Sequence, residues 1–418
     1  MLTGSGQTPE TQGQWSVPIG FDIVPVAVAN LPDGRLLTWA ASSPTTFVEI
    51  SSGATYTEIF DPTLGTDGQA LGQFVSNTRH DMFCPGINNL PDGRIMAAGG
   101  ATSDKTSIFD PVTERWTEAA TMNIPRGYQG NVTLSDGSVF TLGGSWADGN
   151  YPSTNGQKDA EIWSPLTGWF KLPGILGADI FTANDLNTEA RGLYRIDNHL
   201  WLWPAPNGKI FHAGPSEEMH WIDVTGTGSI SSAGLRGTDT YSMKGTTVMF
   251  DVGKILKVGG AESYDSDHPA KDNAFVIDIN LENAVSVTPT ANHLEFSRTM
   301  LNTVVLPNGE VLVTGGLDRA VVFSDVGARF AAEIYNPHTN SWRTVAGMSE
   351  ARTYHSVSIL MNDGRVFVGG GGLCDSTPDC IDHQSAEIYS PPYLFTDGGA
   401  LAARPSISAP DEADYNST

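Results

Sequence analysis

Short apolar runs, each introduced by a polar turn, recur along the whole chain. An Asp-Gly or Asn-Gly pair precedes β-branched and other apolar residues that end at paired glycines, as in RIMAAGG, SVFTLGG and EVLVTGG. Such pairs are strong hairpin signals, and a short apolar run bounded by turns is typical of a buried strand. The turn glycines are 44 to 71 residues apart, at Gly34, Gly93, Gly137, Gly208, Gly253, Gly309 and Gly364.

A second pattern follows in several of these units. Segments such as SIFDPVTERW, EIWSPLTGW and EIYNPHTNSW combine a strand, a Pro turn and a returning strand with a Trp. Kelch repeats end in this way and have this length, and helical periodicity is hard to find. The sequence therefore predicts an all-β fold, a seven-bladed β-propeller of kelch-like repeats over residues 14–395. Residues 1–13 are expected to be a tail, residues 14–30 to include a strand that closes the ring, and residues 396–418 to be a linker.

Charge and composition exclude several classes of partner. The 418 residues contain 23 Lys plus Arg against 47 Asp plus Glu, a formal charge of −24, which repels nucleic acids and anionic membranes. No apolar run is long enough to span a bilayer, and the N-terminus lacks the apolar core of a signal peptide. We expect a monomer that binds neither nucleic acid nor membrane.

Two of the three cysteines, Cys374 and Cys380, lie close together in the Gly-rich segment GGGGLCDSTPDC. This spacing suits a disulfide and hence an oxidising compartment, with a reduced pair as the alternative. We therefore expect a secreted, extracellular protein. Cys84 is the third cysteine and lies outside this pair.

The candidate chemistry lies in loops that a propeller brings together at one end of its axis. Tyr354 and His355 place a phenol beside an imidazole just before a predicted strand, and nitrogen with phenolate oxygen suits Cu(II). A Tyr-His pair is more often ordinary packing, however, and many kelch propellers are non-catalytic binding modules. The residues alone leave this choice open.

Longer motifs resemble the galactose oxidase family of copper-radical oxidases. They are HDMFCPG, RGYQ, SDGSVFTLGGSW, GLYRIDNHLWLW, RTYHSVSI and NDGRVFVGGGGLC, and the resemblance extends over the whole chain from about residue 14 onward. It implies one Cu(II) ion, a small-molecule alcohol or carbohydrate as substrate, and O2 as oxidant. The implied reaction converts a primary alcohol, such as the C6 hydroxyl of a galactose-type sugar, into an aldehyde and O2 into H2O2.

The resemblance also assigns roles to individual residues. Cys84 corresponds to a cysteine joined through a thioether to a tyrosine, here Tyr128, which is both copper ligand and radical. Trp146 corresponds to the indole that covers the thioether. Tyr354 corresponds to the axial tyrosine that takes the alcohol proton, and His355 to one of two histidine ligands.

Other matching positions form the expected substrate wall. Arg195 corresponds to an arginine that hydrogen-bonds sugar hydroxyls, Tyr264 also matches, and Phe323 corresponds to an aromatic residue on the apolar side of the substrate. Asp265 stands where the family has glutamine, and Met300-Leu301 stands where it has an aromatic residue and histidine. The preferred alcohol is therefore open, and a glyoxal oxidase-like enzyme is an alternative.

The fourth protein ligand has no match in this sequence. In the family, a β domain after the propeller supplies a second histidine along the axis, and this domain is expected to be missing from the chain. His80, His199 and His268 belong to other parts of the resemblance and are not assigned as ligands. We therefore expect Tyr128, Tyr354 and His355 around a vacant position, an open axial channel, and weak copper binding and oxidation without the further domain.

Overall fold

The computed structural model describes residues 8–47, 53–67, 71–144, 158–180, 199–281, 284–374, 380–404 and 406. These residues form seven antiparallel sheets, each beginning with an innermost strand near the axis. The predicted seven-bladed all-β propeller is confirmed. None of the helices in these ranges is long and apolar enough to cross a membrane.

The first four blades are sheets of four strands in sequence order. Blade 1 contains β3 (Ala27–Asn30), β4 (Leu36–Trp39), β5 (Thr55–Phe60) and β6 (Leu71–Val75). Blade 2 contains β7 (Gly86–Asn89), β8 (Ile95–Ala98), β9 (Thr106–Asp110) and β10 (Arg115–Glu118). Blade 3 contains β11 (Gly130–Thr133), β12 (Val139–Leu142), β13 (Glu161–Ser164) and β14 (Gly168–Lys171). Blade 4 contains β15 (Leu202–Pro204), β16 (Ile210–His212), β17 (Glu218–Asp223) and β18 (Ser229–Leu235).

The last three blades complete the ring. Blade 5 contains β19 (Thr246–Asp251), β20 (Lys254–Val258), β21 (Ala274–Asp278) and β22 (Ser286–Pro289). Blade 6 contains β23 (Thr299–Val305), β24 (Val311–Leu317), β25 (Ala331–Asn336) and β26 (Ser341–Gly347). Blade 7 contains β27 (Ser356–Leu360), β28 (Val366–Gly370) and β29 (Ser385–Ser390), joined by β1 (Gln14–Trp15) and β2 (Ile19–Gly20). The helical segments are α1 (Pro9–Gln12) and 3-10 turns at Pro62–Asp67, Gly177–Asp179 and Pro392–Leu394.

The N-terminal segment closes the ring on its last blade. Gln14 and Trp15 pair with Ser390 and Tyr389 of β29, and the indole of Trp15 donates a hydrogen bond of 2.7 Å to the carbonyl of Ala346. The predicted closing strand is thus confirmed, although the later part of the same segment forms β3 of blade 1. Pairing first with last strand removes an edge that could otherwise bind another chain.

The core lies between neighbouring blades, where the apolar faces of the sheets pack together. Trp39 of blade 1 meets Trp116 of blade 2 edge to face at 5.7 Å between ring centroids, and both side chains are buried. The paired glycines allow the blades to approach closely at one end of the axis. A Cβ on Gly99 would lie 2.2 Å from the carbonyl oxygen of Arg126 in the following blade, so only glycine fits there.

Buried ion pairs fix the segments that lead into three innermost strands. In each pair, a fully buried arginine just before the innermost strand meets a glutamate of the third strand. The pairs are Arg126–Glu161 at 3.1 Å, Arg298–Glu333 at 2.6 Å and Arg352–Glu387 at 3.6 Å. Moving either partner away would leave the other as an uncompensated buried charge, which is costly. The pairs therefore hold the adjacent loops in place.

Blade 1 keeps this glutamate, but no described arginine pairs with it. Glu58 is 1% exposed, and its Oε1 accepts the backbone N–H of Asp22 at 3.0 Å. Its Oε2 has no hydrogen-bond partner in the described part of the chain. Burial, reinforced by the charge of Asp22, raises the pKa of Glu58 from 4.5 to about 7.

Candidate active site

The axial end of the propeller is lined by one residue position that recurs from blade to blade. At this position the backbone is left-handed, and it lies just before the innermost strand or, in blade 6, at the beginning of that strand. The side chains surround an axial cavity of about 330 Å³. In blades 2 to 7 the position is occupied by Cys84, Tyr128, His199, Lys244, Met300 and His355, with φ between 52° and 68°.

Backbone hydrogen bonds between successive blades hold this costly conformation. The N–H of Tyr128 donates to the carbonyl of Cys84 at 3.1 Å, and the N–H of His199 donates to the carbonyl of Tyr128 at 2.7 Å. Met300 and Lys244 make the same contact at 2.7 Å. Residues other than glycine keep a positive φ only where their surroundings require it, and this occurs often at functional sites. The backbone geometry therefore directs these side chains towards the axial cavity.

Three phenol groups meet beside the cavity. The Tyr354 hydroxyl lies 2.6 Å from the Tyr264 hydroxyl and 3.2 Å from the Tyr128 hydroxyl. Tyr264 is 1% exposed and Tyr354 is 8% exposed. The Tyr354 oxygen thus lies between the other two within hydrogen-bond distance, which allows a proton to be shared among them.

His355 presents one ring nitrogen for coordination. Its Nδ1–H donates to the carbonyl of Gly372 at 2.6 Å, which fixes the tautomer with Nε2 unprotonated. Burial lowers the pKa of His355 from 6.5 to about 3, so the ring is neutral. Its Nε2 is buried and has no hydrogen-bond partner among the described residues. A buried acceptor left in this way is costly unless a ligand satisfies it.

The donor set fits a copper ion. His355 offers an imidazole nitrogen, and Tyr128 and Tyr354 offer phenol oxygens around the same cavity. Nitrogen and anionic oxygen donors are preferred by Cu(II), and the unsatisfied Nε2 of His355 is the observation that favours a metal here.

Cys84 and Tyr128 lie on neighbouring blades and line the same cavity. Cys84 is not part of a disulfide, and it is joined to Tyr128 through the backbone hydrogen bond described above. This placement is compatible with a thioether, which itself stays a prediction. Trp146, assigned as the covering indole, lies outside the described residues.

Two residues at the site were not assigned from the sequence. The Lys244 ammonium nitrogen lies 3.4 Å from the ring centroid of Tyr264 and 4.1 Å from that of Tyr354. The ring centroid of His199 lies 4.6 Å from that of Tyr128. A constant spacing could have identified both. The glycine that ends the second strand follows the axial residue by fifteen positions in blades 2 to 7: 84 to 99, 128 to 143, 199 to 214, 244 to 259, 300 to 315 and 355 to 370.

Aromatic rings form an apolar wall next to the candidate metal ligands. The ring of Phe323 lies 5.1 Å from that of Tyr354 and 5.7 Å from that of His355. Phe47 stacks between Phe323 at 5.6 Å and Phe83 at 5.5 Å. Phe323 is thus brought to the site, as expected for a residue of the substrate wall.

The other predicted substrate residues have different surroundings. The Oδ1 of Asp265 accepts the backbone N–H of Val322 at 2.9 Å, so this oxygen anchors the loop that carries Phe323. Tyr264 is buried behind Tyr354. Arg195 lies outside the described residues, so its assignment stays a prediction.

The predicted disulfide is confirmed. Cys374 and Cys380 are bonded, and their Cα atoms are 6.1 Å apart, within the usual range. The bridge lies close to the site because Gly372, two residues before Cys374, accepts the hydrogen bond from His355.

Comparison with known proteins identifies relatives of this chain. It is 40% identical over 406 residues to a galactose oxidase of Gibberella zeae, an alignment that covers 95% of this chain and 57% of that protein. It is 31% identical over 350 residues to an aldehyde oxidase of Arabidopsis thaliana, covering 78% of this chain and 55% of the relative. The chain thus spans little more than half the length of these curated relatives. No family model matches it.

A solved structure matches the fold closely. It is a novel fungal alcohol oxidase with catalytic diversity among the AA5 family, in complex with copper. The two chains superpose with a TM-score of 0.86 at 36% identity, over 95% of this chain and 80% of that one.

Proposed function

Because the chain belongs to the galactose oxidase family, we propose that it is the catalytic propeller of a copper-radical oxidase. The reaction is RCH2OH + O2 → RCHO + H2O2, with a primary alcohol as substrate. The observation that carries the proposal is the meeting of Tyr128, Tyr354 and His355 at one axial cavity, where the buried Nε2 of His355 has no hydrogen-bond partner among the described residues.

These three residues would hold the copper ion. Copper, when bound, supplies one of the two one-electron oxidations that converting an alcohol into an aldehyde requires. Tyr128 would supply the other as a phenoxyl radical, removing a hydrogen atom from the alcohol carbon. A thioether to Cys84 would lower the potential at which Tyr128 is oxidised, since sulfur donates electron density to the ring. Aromatic side chains around Tyr128, including His199 at 4.6 Å, would limit access of solvent to the radical.

Tyr354 would act as the general base. Deprotonated as a phenolate, Tyr354 would take the alcohol proton on its oxygen, and until that transfer the Tyr264 hydroxyl, 2.6 Å away, can donate a hydrogen bond to the anionic oxygen. The Lys244 ammonium over both rings favours negative charge on this pair of phenols. Tyr354 lines the axial cavity and its oxygen lies between the other two hydroxyls, which supports Tyr354 as the proton acceptor.

The substrate class is narrowed by the wall around the ligands. Phe323, Phe47 and Phe83 provide an extended aromatic surface, which favours substrates with an apolar or aromatic face. Arg195 would hydrogen-bond sugar hydroxyls, and Trp146 would cover the thioether. We therefore propose activity on aryl alcohols as well as on galactosides. Oxidation of an aldehyde hydrate, as in a glyoxal oxidase-like enzyme, is the second candidate, supported by the aldehyde oxidase relative.

The Cys374–Cys380 disulfide also supports secretion, because such bridges persist in oxidising compartments. This proposal is independent of the reaction.

The test is peroxide release after copper loading, measured with benzyl alcohol, galactose, glycerol and methylglyoxal. We expect copper-dependent peroxide with the alcohols and none from Tyr128→Phe, which keeps the ring and removes the ligand oxygen. Peroxide from methylglyoxal alone would favour the second candidate. Protein that binds no copper and oxidises none of the four would instead identify a non-catalytic binding propeller.

A further inference from the structure

We propose that the Cys374–Cys380 disulfide positions the copper ligand His355, acting through the backbone of Gly372, so that copper affinity depends on the bridge. This inference rests on the proposed function for the identity of the metal. It assigns to the bridge a role in the site in addition to closing a loop.

Gly372 contacts both neighbouring ligand residues. Its N–H donates to the carbonyl of Tyr354 at 2.9 Å, and its carbonyl accepts Nδ1–H of His355 at 2.6 Å. The second contact selects the tautomer of His355 and fixes the ring plane. Partners of this kind orient metal-binding histidines, and their loss typically lowers metal affinity by about 10- to 100-fold.

The backbone around Gly372 cannot hold this conformation without support. Gly370, Gly371, Gly372 and Leu373 have φ values of 71°, 111°, 89° and 54°, so four successive residues are left-handed. Glycine loses more conformational freedom on folding than any other residue, and a left-handed leucine is strained. When its neighbours are removed, such a segment relaxes to other conformations.

The required support is the returning arm, residues 380–383. A Cβ added to Gly372 would lie 2.2 Å from the carbonyl oxygen of Ile381 and 2.9 Å from the Cα of Asp382, so the two arms are in direct contact. The N–H of Cys374 donates to Oδ1 of Asp382 at 3.0 Å. The Cys374–Cys380 bridge joins the arms at this point. The connection from the disulfide to the imidazole is therefore continuous through packed backbone.

The first experiment compares the chain with its Cys374→Ser/Cys380→Ser variant. Cu(II) affinity is measured by competition with a chromophoric chelator, and the ligand field by electron paramagnetic resonance. We expect the variant to bind copper about 10- to 100-fold more weakly and with altered hyperfine splitting, while circular dichroism shows an intact propeller. Equal affinity and an unchanged spectrum would overturn the inference.

A second variant keeps the bridge and moves the carbonyl. Gly372→Ala forces a Cβ against Ile381, and we expect the same loss of affinity. Gly364→Ala is the matched control. This glycine of blade 7 also has a positive φ, 83°, but its added Cβ meets nothing closer than 3.7 Å, so copper affinity should be unchanged. Equal affinities for the two alanine variants would refute the role of Gly372, even if the double serine variant did not fold.

Hydrogen exchange of the Gly372 amide in metal-free protein separates this inference from the proposed function. We expect exchange at least tenfold faster without the bridge, because the amide is then released from the Tyr354 carbonyl. If the unmodified chain binds no copper but the amide responds in this way, the proposed metal is wrong and the support by the bridge stands. Unchanged exchange would contradict the support itself.

Discussion

Glu58 provides a quantitative test of the packing in the propeller. Three equivalent glutamates have buried arginines, whereas in the described part of the chain the carboxylate of Glu58 accepts a hydrogen bond only from the backbone N–H of Asp22. Burial raises its pKa from 4.5 to about 7. The native state therefore retains a proton that the unfolded chain releases, and stability must fall as pH rises between those two values and remain reduced above them.

The magnitude follows from the size of the shift. At 1.36 kcal/mol per pKa unit, ionising Glu58 in the folded protein costs up to about 3 kcal/mol above pH 7. Over a chain of 418 residues, this corresponds to a change in Tm of about 4 °C. Glu58→Gln keeps an acceptor oxygen for the N–H of Asp22 and removes the ionisation. We expect the variant to match the parent at pH 4.5 and to exceed its Tm at pH 8.

Thermal unfolding from pH 4.5 to pH 8 measures this difference. Glu333→Gln is the control, because it removes the charge that compensates Arg298 at 2.6 Å and should destabilise the protein throughout the range. A Glu58→Gln variant that is less stable than the parent at pH 8, or a stability difference that does not depend on pH, would show that the pKa of Glu58 is not raised in the folded protein.

Two further predictions concern the loops of the site. Arg126→Met leaves Glu161 buried without a cation, so we expect a loss of about 3–5 kcal/mol in the free energy of unfolding, measured with denaturant; a loss below 1 kcal/mol would contradict it. Asp265→Ala removes the acceptor for the Val322 N–H and should raise KM for benzyl alcohol several-fold, because the loop that carries Phe323 is released. Asp265→Asn retains an acceptor oxygen and should change the ranking of polar substrates instead. Equal KM values of the two variants for benzyl alcohol would show that Asp265 does not anchor this loop.

The repeats explain why the architecture could be predicted from the sequence. Asp-Gly turns and paired glycines occur where the backbone turns tightly or approaches a neighbouring blade closely, and both can be recognised as local patterns in the sequence. The Cys374–Cys380 bridge was also predictable, because only six positions separate the two cysteines. Closure by Gln14 and Trp15 followed from the need to cover an edge strand.

The residues of the site could be predicted only where they lie in long motifs that resemble the family. Tyr354 and His355 are adjacent in sequence, but Lys244 and His199 reach the axis from other blades, and neither was assigned a role from the sequence. Their positions follow from strand register, which the fifteen-residue spacing to the glycine after the second strand encodes. The role of Asp265 could not be predicted either, because its partner is a backbone N–H in the next blade. A contact to a backbone N–H does not depend on the partner's side chain, so the sequence does not indicate it.

The most direct test of the account is the covalent state of Cys84 and Tyr128 after aerobic loading with copper. Both line one axial cavity, and the N–H of Tyr128 binds the carbonyl of Cys84 at 3.1 Å. Peptide mass mapping should recover the two residues in one cross-linked peptide pair, lighter by two hydrogens than the separate peptides and resistant to thiol reduction. A copper-loaded protein in which Cys84 remains an alkylatable thiol and Tyr128 is unmodified would contradict the account.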